Sequence, residues 1–384
     1  MGGEASLAEG SPLHLSAGGL RTSRRSLLGA GLALGLGATD ARPETPSPRV
    51  PVKKMGPWVD AHVHLQSPDW FNANVFQGPP PQVRRRLVPA PPRGRLSRGG
   101  DALEAITAAE APRGQYGPSL ADQTRRLLAE MDSAGIDTAI LYAMDYDYTN
   151  AKLKVPHWQQ LEALAAVRDA YPKRFVLFAA IDPRRGRAGV EMLRRAATEL
   201  KIAGMGEFAP QFFGFAPNDR ERCYPIYEVC AELGLHIAPN CSIISSSVSR
   251  WCDPTYFEDV AQDFPQVNIC LTSAGLPWWS QTAMALAQSK PNIYLDIGDW
   301  QTRYAPDPIG ATLGFVRDCL ATDARHKIMF GSDFPVFHRT VSEQTWVGVF
   351  THEAARRGFE FSPEDLNLFF SDNAQEYLNR DLSL

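Results

Sequence analysis

Two histidines one residue apart, His62 and His64, end an apolar run in the segment WVDAHVHL, Trp58 to Leu65. On a β-strand, residues i and i+2 share a face, so the two imidazoles point the same way. Neutral imidazole is a common metal ligand, and two such nitrogens at the mouth of a barrel strand can grip one divalent cation. A carboxylate partner stands far downstream in KIMFGSDFP, Lys327 to Pro335, where a second apolar run passes into a polar turn carrying Asp333. The three side chains can converge only if both strands end on the same side of one sheet. That set predicts a divalent metal, zinc in the first instance, which lowers the pKa of bound water toward neutrality and polarises a carbonyl or phosphoryl oxygen.

Strands that deliver residues to one mouth must be parallel and separated by helices. Past Pro57 the chain alternates short apolar runs with amphipathic stretches, the pattern of repeated βα units. Strands are predicted at Trp58–Val63, Thr138–Ala143, Phe175–Ile181, Ile202–Phe208, Leu235–Pro239, Val267–Thr272, Ile293–Asp296 and Lys327–Phe330. Helices are predicted at Leu120–Ser133, Trp158–Ala170, Ala188–Leu200, Pro225–Leu233, Tyr256–Phe264, Trp279–Gln288 and Ile309–Leu320. Eight units imply an α/β fold of the closed TIM type, a (β/α)8 barrel with its site at the C-terminal ends of the strands. A Pro-, Gly- and Arg-rich insertion, Gln66 to Pro118, follows strand 1 and is expected either to cover the mouth or to lack order. Ser362 is placed to cap an extra C-terminal helix, Pro363–Leu378, against the barrel wall.

Size and charge agree with one such domain over 58–384. A chain of 384 residues with 44% hydrophobic and 21% charged residues can bury a large core. A formal net charge of −4 offers no global attraction to nucleic acid or to an anionic membrane, so a small-molecule substrate is expected and a homo-oligomer is left open. Residues 1–41 read as a twin-arginine-type signal, with Arg24 and Arg25 ahead of a short Gly/Ala/Leu run too short to span a bilayer. Export to a periplasm is the expectation, a cytoplasmic protein with a leader tail the alternative; 42–57 is a Pro-rich linker. The six cysteines show no C-x-x-C spacing and are expected mostly as buried small hydrophobes.

From Trp58 to Leu378 the chain resembles the amidohydrolase superfamily, in particular the amidohydrolase-related branch that includes aminocarboxymuconate-semialdehyde-decarboxylase-like proteins. The carriers are VDAHVHL, GFAPNDRERCYPIYEVCAELGLHIAPN (214–240), PQVNICLTSAGLPWW (265–279), PNIYLDIG (291–298), IMFGSDFP and DNAQEYL (372–378). The resemblance implies His62 and His64 as metal ligands and Asp333 as a ligand or proton-handling carboxylate. Two departures stand out. Where the branch ends strand 5 in a metal-binding histidine this chain has Asn240, and where it ends strand 6 in a histidine acting on water or substrate this chain has Ser273. His236 and His326 begin their strands and so belong at the opposite end of the barrel. Glu207 ends strand 4, where related hydrolases such as TatD-like nucleases use a glutamate on the metal, and a carboxylate there supplies the anionic oxygen that Asn240 does not. The implied shell is His62, His64, Glu207 and Asp333, with Asn240 as a neutral oxygen ligand or a hydrogen-bonding neighbour.

Residues just past the strand ends are candidates for the substrate pocket: Gln211, Ser273, Trp278, Trp279, Trp300, Arg303 and His338. The leading expectation is a metal-dependent hydrolase of an amide, ester or lactone. A nonoxidative decarboxylase and a barrel that binds without turnover are the alternatives.

Overall fold

The computed structural model describes residues 54–71, 119–149, 153–243, 248–276, 278–301, 307–335 and 341–382. The leader 1–41, most of the linker and of the insertion, and two pocket candidates, Arg303 and His338, lie outside the described residues.

Eight parallel strands run in sequence order: β1 Val59–Val63, β2 Thr138–Tyr142, β3 Phe175–Phe178, β4 Gly204–Phe208, β5 His236–Pro239, β6 Ile269–Leu271, β7 Ile293–Asp296 and β8 Ile328–Met329. All eight are buried along their whole length, as expected where both faces of a sheet are covered. Several end a residue or more short of the predicted spans, because apolar character continues past the last ladder hydrogen bond. The helices are α1 Leu120–Ala134, α2 His157–Ala170, α3 Arg187–Glu199, α4 Tyr224–Leu233, α5 Tyr256–Asp263, α6 Ser280–Ser289 and α7 Pro308–Leu320. In α1, Ser119 accepts the Asp122 amide at the start, Gly135 ends the helix at φ 75°, and Leu127, Met131 and Ala134 share the buried face. Among the described residues one further helix that the sequence pattern does not predict, α8 (Glu343–Gly348), follows the last strand. It forms after β8 because Ser342 accepts the Thr345 amide, while Trp346 and Val347 are buried.

Alternate strand residues divide the core into two. Val59, Ala61, Ile140, Tyr142, Val176, Phe178, Ala238, Cys270, Tyr294 and Met329 fill the barrel, and the opposite faces pack on the helices. The predicted C-terminal helix is broken by a π turn, Leu368–Asp372, between Pro363–Asn367 and Asn373–Tyr377. Part of it packs on the wall, with Trp58 stacked on Phe370 at 4.5 Å. Its end joins the interior cluster, where the Tyr377 hydroxyl donates to the Ile237 carbonyl at 3.0 Å beside Phe178, Tyr294 and His236. Tyr377 therefore plugs the end opposite the predicted site.

The ring closes between β8 and β1 through Ala61 N–H to Phe330 O (2.9 Å), Asp333 N–H to His62 O (2.8 Å) and His64 N–H to Phe334 O (2.7 Å). Against its other neighbour, β2, β1 shifts register between Asp60 and Val63. After Val59 and Ala61 have faced the interior, the irregularity turns His62 inward as well, edge-on to Tyr142 at 5.2 Å.

Candidate metal centre

The closing seam is also where the predicted ligands meet. His62 Nε2 and His64 Nε2 lie 3.1 Å apart, and Asp333 Oδ1 stands 3.6 Å from each. Ligand atoms of these three residues all fall within 4.8 Å of one another, a donor set of two imidazoles and one carboxylate that fits a divalent transition metal. A cation held by both Nε2 atoms would take the place of the single proton that can otherwise bridge them.

Each ring is oriented by its other nitrogen. His62 Nδ1 is 3.2 Å from Asp296 Oδ1, and His64 Nδ1 donates to the Tyr142 carbonyl at 3.0 Å, so both Nε2 atoms face the centre. The two anchors differ in charge. Burial disfavours an imidazolium at His62, but Asp296 first, then Asp333 and Glu207, outweigh it and raise the pKa from 6.5 to about 10. Burial and the neighbouring His62 charge push His64 down to about 3.

The turn carrying Asp333 is held on every side. Asp60 Oδ1 accepts the His62 and Ser332 amides, both at 3.0 Å; Trp346 Nε1 donates to Gly331 O at 3.0 Å, and Gln301 Nε2 to Ser332 O at 2.6 Å. Asp333 itself adopts φ 51°, a left-handed conformation that aspartate tolerates better than most side chains. Burial raises the Asp60 pKa to about 6.

Across the mouth, Glu207 Oε2 approaches His64 Nε2 at 3.6 Å. Its other oxygen accepts Asn240 Nδ2 at 2.6 Å and lies 3.2 Å from Thr272 Oγ1, whose single proton is shared with Pro239 O at 3.1 Å. Asn240 Oδ1 accepts the Ser242 amide at 3.0 Å, so both ends of this amide are engaged by protein groups. Burial raises the Glu207 pKa above the usual carboxylate value, against the His62 charge and the Asn240 bond.

The pocket candidates spread around this rim. Ser273 is buried, with its N–H on Asp296 Oδ1 at 2.9 Å and its carbonyl accepting Trp300 Nε1 at 2.8 Å. Trp300 stacks on Phe315 at 4.6 Å, which is wall packing. Gln211 is buried with its Oε1 facing the Cys252 thiol at 3.4 Å, while its Nε2 has no protein partner. Trp278 is 75% exposed beside Trp279. His236 begins β5 next to Tyr377, and His326 closes the short turn before β8, both at the far end as expected. All six cysteines are free and buried.

Two residues were missed at the sequence level. Asp296, in the PNIYLDIG segment, and Asp60, two residues before His62, were given no part although both are acids in otherwise apolar runs. Such a placement is costly without partners, and that cost was the available signal.

The family model for the amidohydrolase family matches residues 59–380. No curated protein sequence matches the chain. Among solved structures, 5-carboxyvanillate decarboxylase from Novosphingobium aromaticivorans, complexed with manganese and 4-hydroxy-3-methoxy-5-nitrobenzoic acid, is similar at 15% identity and TM-score 0.55, covering 86% of this chain and 98% of that one. A probable 2-pyrone-4,6-dicarboxylic acid hydrolase from Acinetobacter baumannii, with citric acid bound, is similar at 13% identity and TM-score 0.53, covering 84% and 99%. An uncharacterized TIM-barrel protein from Bordetella bronchiseptica is similar at 16% identity and TM-score 0.54, covering 84% and 98%.

Proposed function

Because the chain belongs to the amidohydrolase family, we propose that it is a metal-dependent hydrolase of a small amide, ester or lactone. The observation that carries this proposal is the convergence of His62 Nε2, His64 Nε2 and Asp333 Oδ1 at the mouth of the barrel. These three would hold the ion, with Glu207 Oε2 as the fourth donor on the side of His64. When bound, a divalent ion such as zinc or manganese supplies Lewis acidity that polarises the substrate carbonyl and makes water nucleophilic near neutral pH.

The protein's own part is positional and protonic. Asp333 is the carboxylate placed to accept a proton from the attacking water and to return it to the leaving heteroatom. Its amide donates to His62 O, and Asp60 and Gln301 hold the backbone of the preceding Ser332, so the turn that carries the carboxylate is fixed in advance. Asn240 occupies one oxygen of Glu207 and leaves the other directed at the centre. Gln211 Nε2, buried and without a protein partner, is the group proposed to meet a polar atom of the substrate.

Elemental analysis of protein purified without chelator, followed by a panel of esters, lactones, amides and aromatic carboxylic acids, tests this. Stoichiometric metal with water-dependent cleavage is expected. Release of carbon dioxide from the acids would instead make the protein a lyase, and a metal-free, inert protein would leave a binding barrel. Export is likewise proposed, from Arg24 and Arg25 ahead of the apolar run. Replacing both by lysine should retain the precursor in the cytoplasm; unchanged export would refute it.

A further inference from the structure

We infer that Asp296, at the end of β7, is a positioning residue that fixes the tautomer and orientation of His62, and that metal affinity depends on it. This rests on the metal-centre proposal above and extends it to a residue outside the ligand set.

Asp296 is wholly buried. Its Oδ1 is met by three donors from three elements: His62 Nδ1 of β1 at 3.2 Å, the Ser273 amide after β6 at 2.9 Å and the Gly298 amide after β7 at 2.8 Å. The Cys270 thiol lies 3.5 Å from Oδ2. A carboxylate tied on both oxygens cannot rotate away from the ring. An imidazole that gives its Nδ1 proton to an anion presents Nε2 as the free lone pair and becomes a more basic ligand.

Packing closes the other routes. A Cβ at Gly298 would stand 2.5 Å from His62 Nδ1 and 3.1 Å from Asp296 Oδ1, and one at Gly331 would stand 3.1 Å from His62 Cβ. The ring is therefore boxed between two glycine backbones with Asp296 at its rear. His64, anchored only by a neutral carbonyl, has no comparable device. The same oxygen also uses the amide of Ser273, so the end of β6, which lacks the family's histidine, helps to hold the rear anchor of His62.

The test uses the full chain and Zn²⁺ or Mn²⁺ alone as probe. Asp296→Asn keeps the shape, removes the charge and should weaken metal binding by about 10–100-fold, the range for supporting partners of metal-binding histidines, while the thermal transition stays cooperative. Gly298→Ala should act in the same direction by displacing the ring. In zinc-loaded wild-type protein, ¹⁵N-histidine NMR should show His62 protonated at Nδ1 and ligating through Nε2. A dissociation constant for Asp296→Asn within twofold of wild type would overturn the inference, and so would ligation through Nδ1. Should Asp296→Asn not fold, the Gly298→Ala titration and the wild-type spectrum decide alone. Failure of the wild type to bind either metal would instead overturn the metal-centre proposal itself.

Discussion

The two sides of the barrel mouth are built differently. On the side of β1, β7 and β8, His62, His64 and Asp333 sit on the seam that closes the barrel, each with a backbone or carboxylate anchor. On the side of β4, β5 and β6, Glu207, Asn240, Thr272 and Ser273 form a neutral-polar shelf in which a single carboxylate is held by an amide and a hydroxyl. The first side carries the residues that the resemblance implies as ligands, and the second carries Asn240 and Ser273, the two positions where departures from it are expected. On the first side the ring closes through backbone groups of the ligand residues and their neighbours, whereas on the second, side chains tie the strands together, Asn240 and Thr272 meeting Glu207 and Thr272 also meeting Pro239 O.

The largest expected effect tests the first side. His62→Ala combined with His64→Ala should abolish divalent metal binding, read by elemental analysis; stoichiometric metal in the double variant would show that the centre lies elsewhere. Glu207→Gln should follow, weakening affinity by more than the roughly 10–100-fold typical of a supporting group, because a charge leaves the donor set. If affinity is unchanged, the shelf contributes no ligand and the comparison sharpens to one functional wall. Asn240→Ala should cost less, about tenfold in metal affinity by titration, since it only frees one oxygen of Glu207.

Protonation separates the two sides further. In the metal-free protein the folded-state pKa of His62 is raised to about 10, so its stabilising contribution is full below 6.5 and is lost as pH rises through 10. Metal must displace that proton. Affinity should therefore climb with pH up to about 10, with close to one proton released per ion, visible in calorimetry across buffers of different ionisation enthalpy. His64, pushed down to about 3, should instead withdraw stability as pH falls below 6.5.

The smallest effect lies behind the seam. Burial, then Asp60 and Glu130, hold the Glu343 pKa well above the usual glutamate value. Stability from this proton is complete at acid pH and lost as pH rises through the folded value. Glu343→Gln should remove that loss, stabilising the protein more at pH 8 than at pH 5 in denaturant titrations. An equal effect at both pH values would mean that Glu343 does not carry the proton.

The alternation of apolar runs and helix signals was enough to place all eight strands, because a parallel barrel buries each strand on both faces and so writes it as a short apolar block. His62, His64 and Asp333 were legible for a related reason: imidazoles and a carboxylate at the ends of such blocks have few structural uses there. Asp296 and Asp60 were not legible as anchors. Asp296 meets His62 across 234 positions, and Asp60, besides the nearby His62 amide, meets Ser332 across 272, and no local pattern reports such long-range pairings. Nor could spacing reveal that β1 shifts register against β2, that α8 packs against α1, or that Tyr377 stops the far end of the barrel. Sequence alone determined the class of fold and the metal-capable residues, since both depend on residue type and short-range period. Tertiary structure decided which nitrogen of each histidine faces the centre and which oxygen of Glu207 is already engaged, because those choices are made by hydrogen bonds between strands that meet only when the barrel closes.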